Sequence, residues 1–321
     1  MSLANFYFYN RRWSFLLAAL LAILSASSCS KRAEPAAKPQ DLPAFEFLGA
    51  WGEKGDGPGK LREPVVFATD SLNNVFFADP AENFIHKFQY NGTPLQSFED
   101  PRVGRAAGIA IDRGAAIYIA DVQRGNVMIF FPDGTFLRSM HITPQPHFSG
   151  PLGISVDEQG NVYVPDAAAS RVVKFDDHSR ETKFWEKRNP AAENSSPTND
   201  KPFAVATAQD GSVFVAYAKT GRIEKYLADG TLATSWTATD NSAASSSTIT
   251  GVATTAQFVL VMIATPPQIR VWTLDGQHKL DNDLGGRLAN AAAPQIAVTP
   301  HGELLVFDPS VPRVFRFRMH L

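Results

Sequence analysis

The chain of 321 residues is 44% hydrophobic and 19% charged and carries a formal net charge of −2. That apolar content suffices for a sizeable core, and the balanced charge excludes a broad basic surface built for nucleic acid, so no nucleic-acid partner is expected. The single cysteine, Cys29, excludes an intrachain disulfide framework and a cysteine-rich zinc centre, which leaves packing and strand pairing to hold the fold.

The chain opens on a targeting segment. Arg11 and Arg12 precede an apolar run from Trp13 to Leu24, followed by the small residues Ser25-Ala26-Ser27-Ser28 and then Cys29. This is the order of a signal peptide over residues 1–28. The run is shorter than the roughly 20 apolar residues that span a bilayer. Ala26-Ser27-Ser28-Cys29 resembles a bacterial lipobox, with Ala26 where leucine is usual. The resemblance implies lipidation of Cys29 and a bacterial cell-envelope location, at the outer membrane or the periplasmic face of the inner membrane. An ordinary secretory signal with an incidental cysteine is the alternative. Residues 29–43 are rich in Pro, Ala and charge without hydrophobic period, and read as a flexible tether.

Residues 44–321 are repetitive. A lone strand-like segment, Phe45–Trp51, comes first, and six related units follow: Pro64–Gln89, Gly108–Phe131, Pro151–Asp177, Pro202–Leu227, the worn Gly251–Thr273, and Pro294–Phe317. In each, a first strand ends near Asp70, Asp112, Asp157, Ala208, Ala256 or Pro300. A turn leads to a second strand such as VFFAD, IYIAD, VYVPD, VFVAY or LLVFD, and a loop leads to a third such as FIHKF, RVVKF or RVFRF. A Gly-containing turn (Asn91-Gly92, Asp133-Gly134, Asp229-Gly230, Asp275-Gly276) then introduces a fourth. A period of about 40–50 residues with four short strands each predicts a propeller. The expected fold is all-β: a six-bladed β-propeller of four-stranded antiparallel blades. The last unit lacks a fourth strand, so Phe45–Trp51 is expected to pair with Val314–Phe317 and close the ring.

The segment from Trp51 to Gly92, WGEKGDGPGKLREPVVFATDSLNNVFFADPAENFIHKFQYNG, and PLGISVDEQGNVYVPDAAASRVVKFD resemble the NHL repeat family over about residues 45–321. Units four and five depart from its pattern, with Tyr217 in place of the second-strand Asp. Some propellers of this kind are lyases or lactonases with a divalent metal at the central channel; the resemblance implies such a cofactor only as an alternative, and Glu63 is the carboxylate placed to face a channel.

Asp79, Asp121, Asp166 and Asp308 end the second strand of four units, and Arg171 and Arg313 follow two of them. Recurrence argues for turn fixing by short carboxylates, as it does for Asp70, Asp112 and Asp157. Arg171, Arg222, Arg270 and Arg313 recur at the start of third strands and are expected to ring part of one face, either receiving an anionic or peptide-like partner or pairing locally. Among seven histidines, His141 and His147 flank the long connection 141–150 and are the best placed for a site, although no metal-binding spacing is present. The long polar connections 187–201 and 237–250 are expected on the same face. Phe88, Phe130, Phe175, Tyr226, Trp272 and Phe317 recur at one third-strand position and mark packing between blades. Two functions fit: a lipid-anchored, noncatalytic module binding protein, peptide or glycan, or a metal-dependent lyase or hydrolase using the channel.

Overall fold

The second strands are buried along nearly their whole length rather than at alternate positions, and the structure shows why. In the computed structural model, which describes residues 43–56, 59–121, 125–141, 153–167, 169–186, 200–217, 219–239 and 248–321, every blade has another blade packed on each of its two faces. Val75–Asp79, Ile117–Asp121, Val162–Asp166 and Val213–Tyr217 are buried at all positions. Period-2 alternation survives as a choice between two cores. Val75 and Phe77 pack with Phe307 and Val314, whereas Phe76 and Ala78 pack with Ile109, Ile119 and Phe130.

The described strands form six four-stranded antiparallel sheets. Blade 1 comprises Val66–Thr69, Val75–Asp79, Phe84–Phe88 and Pro94–Glu99; blades 2 to 5 repeat that order between Ala106 and Asn282. Blade 6 takes Gln295–Val298, Glu303–Asp308 and Arg313–Met319 from the C-terminal end and Phe45–Trp51 from the N-terminal end. The expected closure is present and longer than expected, running from Phe45 opposite Met319 to Trp51 opposite Val314 with one register shift at Gly49. The worn unit is also complete, with Phe258–Ala264 as its second strand and His278–Asn282 as its fourth.

Six separate apolar clusters lie at the six blade interfaces. Each receives one of the recurrent third-strand aromatics: Phe317, Trp272, Phe175, Phe130, Phe88 and Tyr226 respectively. Burying one such side chain contributes roughly 1.5–3 kcal/mol, so the ring is held by many equivalent increments. The innermost strands are sheet edges whose backbone groups need partners. Neighbouring blades supply them: Thr69 Oγ1 donates to the Val298 carbonyl at 3.4 Å, Thr207 Oγ1 to Val156 at 3.2 Å, and Thr254 Oγ1 to Thr207 at 2.7 Å.

Antiparallel pairing sorts the connections onto two faces. Turns between first and second and between third and fourth strands share one, the turn face. Second-to-third turns and blade-to-blade connections share the other, the loop face.

Candidate functional site

The channel between the innermost strands is lined by all six blades and is built from small and branched residues. A cavity of about 300 Å³ runs along Ala68, Ala110, Ser155, Ala206, Ala253 and Ala297. Its loop-face mouth, about 210 Å³, is formed by residues including Gly108, Gly153, Phe203, Ala204, Thr250 and Gln295. None of the described residues lining either stretch is ionisable. Glu63 is exposed and outside this lining; its backbone N–H donates to Asp79 at 3.0 Å.

A cavity of about 680 Å³ opens on the turn face, shares Thr69, Ile111, Thr207, Thr254 and Val298 with the channel wall, and includes Asp70, Asp112, Arg113, Glu158 and Gln257. Asp70, Asp112 and Asp157 beside it are engaged in their own turns, and Glu158 is paired across blades. Asp70 accepts from the N–H groups of Leu72 and Asn74 and from Asn74 Nδ2, at 2.8–2.9 Å. Asp112 accepts from Ala116 N–H and Tyr118 Oη, and Asp157 does the same with Asn161 and Tyr163. Burial first, and then these carboxylate charges, push both tyrosine hydroxyls well above their ordinary pKa. Arg113 pairs with Glu158 at 2.6 Å across blades 2 and 3.

On the loop face, the second-strand carboxylates bind local groups. Asp79 accepts from the N–H groups of Arg62 and Glu63, which fixes the connection that enters blade 1. Asp166 accepts from Ala169 N–H and from Arg171 Nε at 3.0 Å, a buried pair at directly opposed strand positions. Asp308 and Arg313 occupy the same register but form no ion pair; Asp308 accepts from Ser310 N–H at 2.9 Å, leaving Arg313 exposed. Asp121 is fully buried, and its carbonyl accepts from Gly125.

Arg171, Arg222 and Arg313 begin their strands as expected, the first two with acidic groups beside them, and Arg270 does not. Arg270 is not at a strand start: it opposes Val261 in the interior of Pro267–Thr273, is buried, and donates to the Ala238 carbonyl at 3.1 Å. The similarity of QIRVW to RVVKF concealed a two-residue offset. Arg222 does begin its strand, but it lies 3.1 Å from Glu224 and 4.3 Å from the Tyr217 ring centroid. His141 ends the outermost strand of blade 2, exposed at the rim and away from the channel. Cys29, His147 and connections 187–199 and 240–247 lie outside the described residues.

Two polar clusters were missed in the sequence. In blade 4, Glu224 accepts from Tyr226 Oη at 2.8 Å, and Asp200 accepts from Thr220 Oγ1 near Arg222. Burial and the Glu224 charge drive the Tyr217 and Tyr226 pKa values upward. In blade 1, Asp79, Glu82 and His86 bring donor atoms within 4.8 Å of one another. The available signal was positional: the centre of the third strand holds Met128, Val173 or Phe315 in three blades, but His86 and Glu224 here.

No protein-family model and no curated protein matches the chain. Solved structures do resemble it. A streptogramin B lyase matches with a TM-score of 0.60 and 13% identity over 80% of this chain and 79% of that one. A catalytically inactive virginiamycin B lyase from Staphylococcus aureus with quinupristin matches at 0.60 and 14%, covering 79% and 80%. The WD40 domain of Neurospora crassa Pan2 matches at 0.54 and 12%, covering 86% and 96%. At these identities the likeness defines a class, the β-propellers, and this chain is a six-bladed member of it.

Proposed function

We propose that the chain is an NHL-type propeller, lipid-anchored through Cys29 in the cell envelope, that binds a protein, peptide or glycan partner on its loop face without catalysis. The observation that carries this reading is the channel: along its inner stretch and at its loop-face mouth, the described wall offers hydroxyls, an amide and carbons, with no ionisable side chain to serve as general base or metal ligand. Binding needs none of these. The turn-face carboxylates Asp70 and Asp157 are engaged in their own turns, whereas Arg313 and Val311 on the loop face are exposed.

A metal-dependent lyase is the second reading, favoured by the likeness to the streptogramin and virginiamycin B lyases. The two are separated by incubating labelled Pro43–Leu321 unit with envelopes from cells lacking the protein. The binding reading expects saturable, competable retention and no change in mass of the retained component. Turnover of a type B streptogramin, abolished by chelator, contradicts it.

A further inference from the structure

We propose that Asp79, Glu82 and His86 in blade 1 form a binding site for one divalent transition-metal ion, with zinc as the best match. The inference does not depend on what the loop face binds. Asp79 ends the second strand, Glu82 sits in the following turn, and His86 lies in the third strand opposite Phe77, so the hairpin itself assembles the three. Their donor atoms lie within 4.8 Å of one another. Zinc bonds of about 2.0–2.2 Å require a contraction of roughly 1 Å, within reach of the Glu82 side chain in its turn.

The imidazole is the second and independent observation. His86 is 1% exposed, and its Nε2 lies 3.9 Å from Glu82 Oε2, too far for a hydrogen bond; Nε2 has no hydrogen-bond partner. Its Nδ1 is 2.8 Å from Ser97 Oγ. With Nδ1–H donating to Ser97, the Nε2 lone pair faces two carboxylates across a buried gap, an arrangement that a cation between them stabilises and that otherwise costs free energy. The supporting shell resembles that of known metal sites: Ser97 orients the imidazole, and the N–H groups of Arg62 and Glu63 orient Asp79. One imidazole with two carboxylates suits zinc better than calcium or magnesium, which prefer all-oxygen shells. The fourth position would take water or a donor from a bound partner. The other donor group, Asp176-Asp177-His178, sits in an exposed turn where Asp176 already accepts from His178 N–H and from Arg180 N–H and Nε, and it serves as a control.

The test uses purified full-length protein in detergent, stripped with chelator and titrated with Zn²⁺ and with Co²⁺. The expected result is one equivalent bound, visible Co²⁺ absorption of a low-symmetry N/O site, and a rise in Tm with Zn²⁺. Glu82→Gln should lose both the absorption and the Tm rise while melting like metal-free wild type. Ser97→Ala should weaken binding about 10–100-fold, and His178→Ala should change nothing. If Glu82→Gln fails to fold, the wild-type Co²⁺ spectrum and Ser97→Ala decide the matter. The proposal is overturned if wild type shows no Co²⁺ absorption and no Tm rise, which would mean that a proton alone occupies the gap. It is equally overturned if His178→Ala abolishes binding, or if Glu82→Gln retains full affinity.

Discussion

Phe47 and Phe317, from opposite ends of the chain, are paired residues on adjacent strands, with ring centroids 5.6 Å apart. Four residues along the same N-terminal strand, Trp51 packs against Phe77 and Phe88 of blade 1 at 6.0 and 5.2 Å, and its Nε1 donates to the Tyr90 carbonyl. The strand therefore completes blade 6 and seals blade 6 against blade 1. Removing residues before Gly52 should lower Tm by about 10 °C or more, and Trp51→Ala should cost at least about 2 kcal/mol. Calorimetry showing an unchanged Tm for the truncated chain would dismiss closure as a source of stability.

The fourth-strand turns carry a second inter-blade contact. Gly134 has φ +89°, and a Cβ there would fall 2.4 Å from the Phe98 ring of blade 1. Gly302 has a similar φ of +78°, with nothing within 4 Å. Both alanine variants incur the strain of a left-handed conformation, about 1 kcal/mol. Gly134→Ala should cost about 2 kcal/mol more, because Phe98 must move. Denaturant unfolding of the two variants checks this; equal losses would show that the turn conformation alone matters.

Acid sensitivity has an identifiable contributor in Asp100. Arg102 donates to it through Nε and Nη2 at 2.8 and 2.6 Å, and these bonds hold the carboxyl below its ordinary value of 3.8, against burial. The folded value lies below the unfolded one. Its stabilisation is therefore complete above the unfolded value and fades as pH falls through the folded one. Asp100→Asn should cost about 1 kcal/mol at pH 7, the partial exposure of Arg102 limiting the loss. The gap from wild type should begin to narrow below about pH 4 and go on closing as pH falls through the folded value. Melting curves from pH 7 to pH 3 in which the gap stays constant would refute this.

Asp166 and Arg171 form an ion pair from directly opposed strand positions, whereas Asp308 and Arg313, opposed in the same way, do not. Asp166→Ala leaves a buried guanidinium without its carboxylate and should cost about 3 kcal/mol, whereas Asp166→Leu combined with Arg171→Met should recover most of that loss. A double variant as unstable as the single would show that Arg171's remaining contacts depend on its charge.

Blade number, strand order and ring closure were legible because they follow from repetition: the aromatic at Phe88, Phe130, Phe175, Tyr226, Trp272 and Phe317 marks one side of every interface core. The polar chemistry was less legible, for two reasons. Arg270 is the third residue of QIRVW, the central position that Val173 holds in RVVKF, so its resemblance to Arg171 was one of composition and not of position. His86 and Glu224 are isolated polar residues in otherwise ordinary strands, and only folding shows that His86 meets Glu82 and Asp79 while Glu224 meets Arg222 and Tyr226. Arg313 shows the converse, since a motif shared with Arg171 does not guarantee the same partner.

The central functional claim is that partners meet the loop face. Val311, 55% exposed in a second-to-third-strand turn, and Leu72, 75% exposed in a turn of the opposite face, provide matched positions for a photo-reactive side chain. Crosslinking in the native envelope should give a discrete, saturable adduct from Val311 and none from Leu72. Adducts confined to Leu72 would place recognition at the turn-face cavity and contradict the account.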